Sequence, residues 1–289
     1  MTDYLVYDVF TKDVFGGNQL AIIPDATGLA EKHLQKIAAE FNFSETTFVY
    51  PAENSNHTAK VRIFDPKNEL PFAGHPTIGT AVALSDLGGH DKMILELGVG
   101  PIPCKVQKGV PSSAAFTSTI PLERFGIIPV DMIAACLSLP STAIVTETHM
   151  PEMASVGLPF AMIELDSLES LAKATVKTDV YANANASHGT NIDTFATYAY
   201  VKTDTGFQAR MFAPLSNIPE DPATGSAAAA LGTYLTALSG KALNTTIMQG
   251  VEMGRPSAIN ISTTIESGVP TSVTVQGYAV KVMQGQLAF

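Results

Sequence analysis

Short runs of alternating or β-branched apolar residues recur along the chain, and they predict strands at about 3–10, 19–24, 45–51, 58–65, 92–98 and 101–107 in the first half. The second half repeats this density, with strands predicted at about 155–165, 195–203, 206–213, 246–250, 257–263, 271–276 and 279–284. Helical spacing is rarer. In "TGLAEKHLQKIAAEFN" the apolar Leu29, Leu34, Ile37, Ala38 and Phe41 share one face, with Thr27 as the expected cap. Other helices are expected to begin near Pro76, Val130, Leu168 and Pro222. Two of them read alike: "GHPTIGTAVAL" from Gly74 and "DPATGSAAAAL" from Asp221 place a proline at the expected first helical position, then small and apolar residues. On that reading His75 and Asp221 are N-caps. Aspartate is a favoured cap and histidine is not, so His75 asks for another explanation.

The two halves also echo each other in order. "VRIFDP" at 61–66 is answered by "ARMFAP" at 209–214, which pairs Arg62, Phe64 and Pro66 with Arg210, Phe212 and Pro214. "GNQLAII" at 17–23 faintly matches "GLPFAMI" at 157–163, and the His75 and Asp221 starts complete the series. Three matches in one order predict an internal duplication, with an α+β fold of two pseudo-symmetric domains. Each would be a curved sheet wrapped around one main α-helix. The alanines at 227–230 suit a helix enclosed on all sides, which must be slim and apolar all round. The expected domains are 1–115, joined by the C-terminal strand 277–289, and 116–276. Their helix starts would open on a shared interdomain cleft, the usual setting for a small-molecule site.

Composition narrows the function. The net charge is −10 and the basic residues are scattered, which argues against nucleic acid or an anionic membrane surface as partner. No apolar run reaches the ~18 residues of a membrane helix, and "MTDYLVYDVF" reads as a first strand rather than a secretion signal. Cys104 and Cys136 sit in a strand-like and a helix-like context and are expected to be reduced core thiols of a cytoplasmic protein. Gly98 and Gly100 in "GVG" are a weak nucleotide signal, better read as a bend between strands.

Helix N-termini present unbonded N–H groups and partial positive charge, so the two starts are candidates to hold a carboxylate. In "TGS" at 224–226, Gly225 permits close backbone approach and Ser226 adds a hydroxyl; Ile78, Gly79 and Thr80 are the expected first-half equivalents. In "NFSETTFVY", Glu45 stands among apolar strand residues. Burial there would disfavour its charged form and suit a general acid/base, against the plain alternative of a solvent-facing glutamate at a strand start. A metal site from Glu45, His75 and Asp221 is disfavoured, because no second histidine lies at ligand spacing.

The stretches "DVFTKDVFGGNQLAII", "FNFSETTFVY", "VRIFDPKNELPFAGHPTIGTA", "ARMFAPLSNIPEDPATGSAAAA" and "QGVEMGRPS" together resemble the phenazine-biosynthesis PhzF-like family, of diaminopimelate epimerase-like fold. The resemblance runs from the first strand to the last and implies an α+β fold of two pseudo-symmetric domains, each an antiparallel β-barrel-like sheet wrapped around a central α-helix. It implies a cofactor-independent isomerase, without metal, often a homodimer, acting on a small cyclic or amino carboxylic acid. Carried over residue by residue, it makes Glu45 of "SET" the general acid/base, with His75 of "AGHP" and Asp221 of "EDPATGS" as its catalytic partners. Gly74, Gly225 and Ser226 would contact the substrate carboxylate, with Asn18 and Ser44 in the same region. The namesake reaction isomerises a dihydro-hydroxyanthranilate by moving a proton between ring carbons. Related epimerases of this fold use two cysteines at the helix starts. This chain has neither, which excludes a two-thiol mechanism. Gln19, Asn217 and Gln276 depart from the family pattern in loops and leave the substrate open. A non-catalytic binder of a small acid or a protein, and a lyase or decarboxylase of a cyclic acid, remain the alternatives.

Overall fold

Both helices that follow the echoing motifs are ringed by strands in the computed structural model, which describes residues 1–289. The chain divides into one unit of Met1–Thr117 with Val275–Phe289 and a second of Ser118–Thr274. The first contains β1 (Thr2–Val9), β2 (Asn18–Ile23), α1 (Glu31–Phe41), β3 (Glu45–Tyr50), β4 (Ala59–Phe64), β5 (Glu69–Leu70), α2 (Gly74–Asp86), β6 (Lys92–Leu97), β7 (Gly100–Gln107) and β8 (Ser113–Ser118). The second contains β9 (Glu123–Ile127), α3 (Val130–Leu137), β10 (Glu152–Ser155), β11 (Pro159–Glu164), α4 (Leu168–Lys173), α5 (Thr178–His188), β12 (Thr197–Thr203), β13 (Gly206–Ala213), β14 (Ile218–Asp221), α6 (Gly225–Ser239), β15 (Asn244–Gln249) and β16 (Ser257–Glu266). The last strand, β17 (Val269–Leu287), begins in the second unit and continues from Val275 in the first.

In the first unit eight strands close on themselves in the order β17, β1, β2, β3, β4, β6, β7, β8 and back to β17. The second unit runs β9, β10, β11, β12, β13, β15, β16 and then the first half of β17. This is the expected α+β fold of two barrel-like sheets, the first of them closed, with one refinement. Each barrel has two parallel neighbours, β2 with β3 and β4 with β6, then β11 with β12 and β13 with β15. Parallel neighbours need a crossover. The second crossover of each unit carries the central helix, and the first carries helices that pack outside.

The central helices are built to be enclosed. Residues 74–83 of α2 are all buried, and α2 packs on β1, β2, β3, β6 and β7. Gly79 makes room for this: a Cβ there would lie 2.6 Å from Leu20 Cδ2 and 2.7 Å from Val9 Cγ2. In α6 residues 227–234 are buried against β10, β11 and β16. The strands between inner and outer helices are covered on both faces, which is why they read as near-continuous apolar runs. Outside the first barrel, Leu34, Ile37 and Ala38 of α1 pack with Ile23, Phe48 and Phe64.

The repeated "RxFxP" motif is structural. Arg62 donates to Glu69 and to Glu31 of α1, and Arg210 donates to Glu220 and to the carbonyls of Leu171 and Ala174 at the end of α4. Each guanidinium also lies over the phenylalanine two residues on, at 5.1 Å from Phe64 and 4.8 Å from Phe212. Each arginine thus ties an outer helix and a short edge strand to the barrel wall.

Several expectations are corrected. Thr27 caps nothing: it bonds Asp25 in a turn, and α1 starts at Glu31 after Ala30. The strand expected at 155–165 is β11, starting later at Pro159, with β10 paired before it and not expected, and the two expected after 271 are one strand. Gly98 and Val99 form the two-residue bend between β6 and β7, as read. Cys104 and Cys136 are buried and unbridged. No helix is long and apolar enough to cross a membrane.

Candidate functional site

In the first unit three elements converge on one histidine. β2 supplies Asn18, β3 supplies Glu45 from its first position, and α2 supplies Gly74 and His75 from its first turn. The parallel pairing of β2 and β3 sets Glu45 beside Leu20 and so places it near the Asn18 end of that strand. Asn18 Nδ2 lies 3.3 Å from His75 Nδ1, and Glu45 Oε2 lies 3.2 Å from His75 Nε2. Asn18 and His75 are buried, and only 13% of the Glu45 side chain is exposed. Burial pushes the His75 imidazole down to about 3, only partly opposed by a backbone hydrogen bond with Gln19. His75 is therefore neutral at physiological pH, and its approach to Glu45 is not an ion pair of the usual kind. Ser44 precedes β3 and is half-buried.

His75 is not the N-cap. The cap is Ala73, so Gly74 is the first helical residue, His75 the second and Pro76 the third. Ala73 has no side chain with which to bond the free N–H groups of that turn.

In the second unit Asp221 ends β14, and α6 begins four residues later with Gly225 and Ser226. Asp221 is not a cap either. The cap is Thr224, a residue type that usually bonds the first turn, yet its hydroxyl donates to Asp221 Oδ2 at 2.6 Å. The α6 start is thus left without a side-chain cap, like that of α2. Gly225 is buried and Ser226 half-buried.

Helix registers also correct the equivalence read from the motifs. Gly74 and Gly225 are the matching first residues, so Ser226 stands where His75 does, and Asp221 has no partner histidine. Gly79 lies in the second turn of α2, packed on β1 and β2, and is not the counterpart of Gly225. Sequence reasoning missed Thr224, Gln249 and Tyr198, a buried polar set around Asp221. The signal was present in "QGVEMGRPS", to which no role was given. No three acidic, histidine or cysteine side chains gather in metal-binding geometry.

The sequence profile of the phenazine biosynthesis-like protein family, PhzC-PhzF, matches residues 7–285. An uncharacterised isomerase of Mesorhizobium japonicum is 37% identical, with 99% of this chain and 98% of that protein covered. The trans-2,3-dihydro-3-hydroxyanthranilate isomerase of Pseudomonas chlororaphis is 32% identical, with 99% of both covered. Among solved structures, a Bacillus anthracis phenazine biosynthesis protein of the PhzF family superposes with a TM-score of 0.88 at 21% identity, over 100% of this chain and 99% of that one.

Proposed function

This chain belongs to the phenazine biosynthesis-like protein family, and from that membership we propose that it is an isomerase of a small cyclic or amino carboxylic acid, working by proton transfer through Glu45. The observation that carries the reading is Glu45 itself: a largely buried carboxyl, 3.2 Å from a neutral histidine that sits in an uncapped helix start. The free N–H groups at Gly74 and at Gly225 are suited to a substrate carboxylate. Ser226 adds a hydroxyl there, with Asn18 and Ser44 shaping the Glu45 side. Glu45 takes a proton from one carbon and returns one to another, while His75 and Asp221 orient the reacting groups. Atoms and electrons balance in such a shift, so the chemistry needs no redox partner. The relative from Pseudomonas chlororaphis is named for trans-2,3-dihydro-3-hydroxyanthranilate, and that compound heads the substrates to try. A cytoplasmic homodimer is part of the same reading; sedimentation of the purified chain checks the dimer, and fractionation of cells checks the location.

The test is a panel of small cyclic and amino carboxylic acids, that dihydro-hydroxyanthranilate included, incubated in D2O and read for deuterium at carbon. Exchange is expected with the native chain. It should fall by about 10²–10⁴ in Glu45→Gln, the usual worth of a general acid/base, while thermal unfolding stays close to native. Undiminished exchange in Glu45→Gln would refute the assignment.

A further inference from the structure

Gln249 ends β15 with no solvent exposure, and its amide is used on both sides. Its Oε1 accepts from the Thr224 backbone N–H at 3.2 Å and from the Tyr198 hydroxyl at 3.0 Å. Its Nε2 donates to the Asp221 carbonyl at 2.8 Å and to Thr224 Oγ1 at 3.0 Å. The partners fix the direction. A backbone N–H can only donate, so the amide oxygen must face Thr224 N; a carbonyl can only accept, so the amide nitrogen must face Asp221 O. Thr224 Oγ1 therefore receives a hydrogen from Gln249 and gives its own to Asp221 Oδ2, 2.6 Å away. Tyr198 lies at the other end, fully buried, and burial pushes its phenol far above the usual range, so it stays a donor.

We propose that Gln249 is a positioning residue for Asp221: it sets a one-way hydrogen-bond chain, Tyr198 to Gln249 to Thr224 to the Asp221 carboxylate, and so holds Thr224 away from capping α6. The adjacent Gly250 supports the same loop. Its φ is +71°, and a Cβ would lie 2.5 Å from Arg255 O and 2.6 Å from Pro222 O. The "QG" of "QGVEMGRPS" is thus built against the segment from Asp221 to Thr224. A hydroxyl already polarised by a donor is a better donor in turn. The consequence is a carboxylate kept as an acceptor in one orientation, beside a helix start left open. The inference rests on the proposal that Asp221 serves the reaction, but its test does not.

That test follows the carboxylate carbon of Asp221 by NMR through an acid titration, with the resonance assigned by its loss in Asp221→Asn. Thr224→Ser keeps the hydroxyl and should leave the midpoint within about 0.3 unit of native. Thr224→Val removes the donor and should raise it by about one unit. Gln249→Met should also raise it and speed exchange of the Thr224 amide at least about ten-fold. Gln249→Leu also removes both the amide donor and its acceptor without adding a charge, and serves if Gln249→Met does not fold. A midpoint unmoved in Thr224→Val, or in a folded Gln249 variant, overturns the proposal. Carbon exchange that survives in Asp221→Asn would instead remove Asp221 from the reaction and leave this chain of bonds standing.

Discussion

Neutral burial of His75 gives the candidate site a pH signature that needs no substrate. Its basicity falls on folding, the pKa moving from an ordinary 6.5 to about 3, because burial penalises the imidazolium. The folded form therefore resists a proton that the unfolded chain accepts. Stability from this residue is complete above pH 6.5 and is lost as pH falls toward 3, at about 1.4 kcal/mol per pH unit where the unfolded chain binds one proton more. Summed from pH 7.5, that is about 2 kcal/mol by pH 5 and about 3 kcal/mol by pH 4, a large part of a typical 5–15 kcal/mol. The assay is urea unfolding at several pH values with histidine or asparagine at position 75. Both chains carry Glu45→Gln, so that the carboxyl 3.2 Å away does not add its own titration. Relative to the His75→Asn chain, the histidine chain should lose about 3 kcal/mol between pH 7.5 and 4. Curves that stay parallel within about 1 kcal/mol would refute a neutral buried His75.

The two arginines of the repeated motif should separate in the same assay. Arg210→Met strands the Glu220 carboxylate and two buried carbonyls, in a site where the arginine is 9% exposed, and should cost about 3–5 kcal/mol. Arg62→Met leaves Glu31 and Glu69 free to reach water, since they are 73% and 45% exposed, and should cost about 1 kcal/mol or less. Gly250→Ala places a left-handed backbone and two carbonyl clashes on one residue, and should cost more than about 2 kcal/mol. Gly254→Ala shares the positive φ in open space and should cost about 1 kcal/mol.

What the sequence conveyed tracks how each element is covered. Strands buried on both faces, such as β2 and β11, were plain as apolar runs. β9 is exposed at every position, so it carries no alternation, and α5 buries only Tyr181 and Ala184, so it shows no apolar stripe; both were missed. The long β17 was expected as two strands, 271–276 and 279–284; Gly277 lies between those ranges, and its missing side chain lets the Phe10 ring pack against one continuous strand. The helix starts were displaced for a different reason. None of the first residues of a helix has an intrahelical partner for its N–H, so proline fits at any of them and does not mark the first. At Pro222 the buried Gln249 takes up the polar groups of the loop and delays the helix to Gly225. Glu45, His75 and Asn18 come together in the first unit, while the network around Asp221 is made by Thr224, Gln249 and Tyr198, polar residues whose types alone mark no chemistry and whose contacts only the fold creates.

The corrected register sharpens what duplication left behind. Ala21 pairs with Thr46 in the first unit, and Ala161 pairs with Thr197 in the second, so the counterpart of Glu45 is Ala196. The counterpart of His75 is Ser226. Both helix starts keep their open N–H groups, yet the carboxyl and histidine pair exists in one unit alone. The second unit has Asp221, and that carboxylate accepts the Thr224 hydroxyl. Under the proposed reaction, the duplicated part of the fold serves to hold an acid, and the part that diverged serves to move the proton. A two-base epimerase needs matched groups at both helix starts. Under the proposed reaction, a chain whose second start offers serine and a bonded aspartate relies on one carboxyl that both takes and returns the proton.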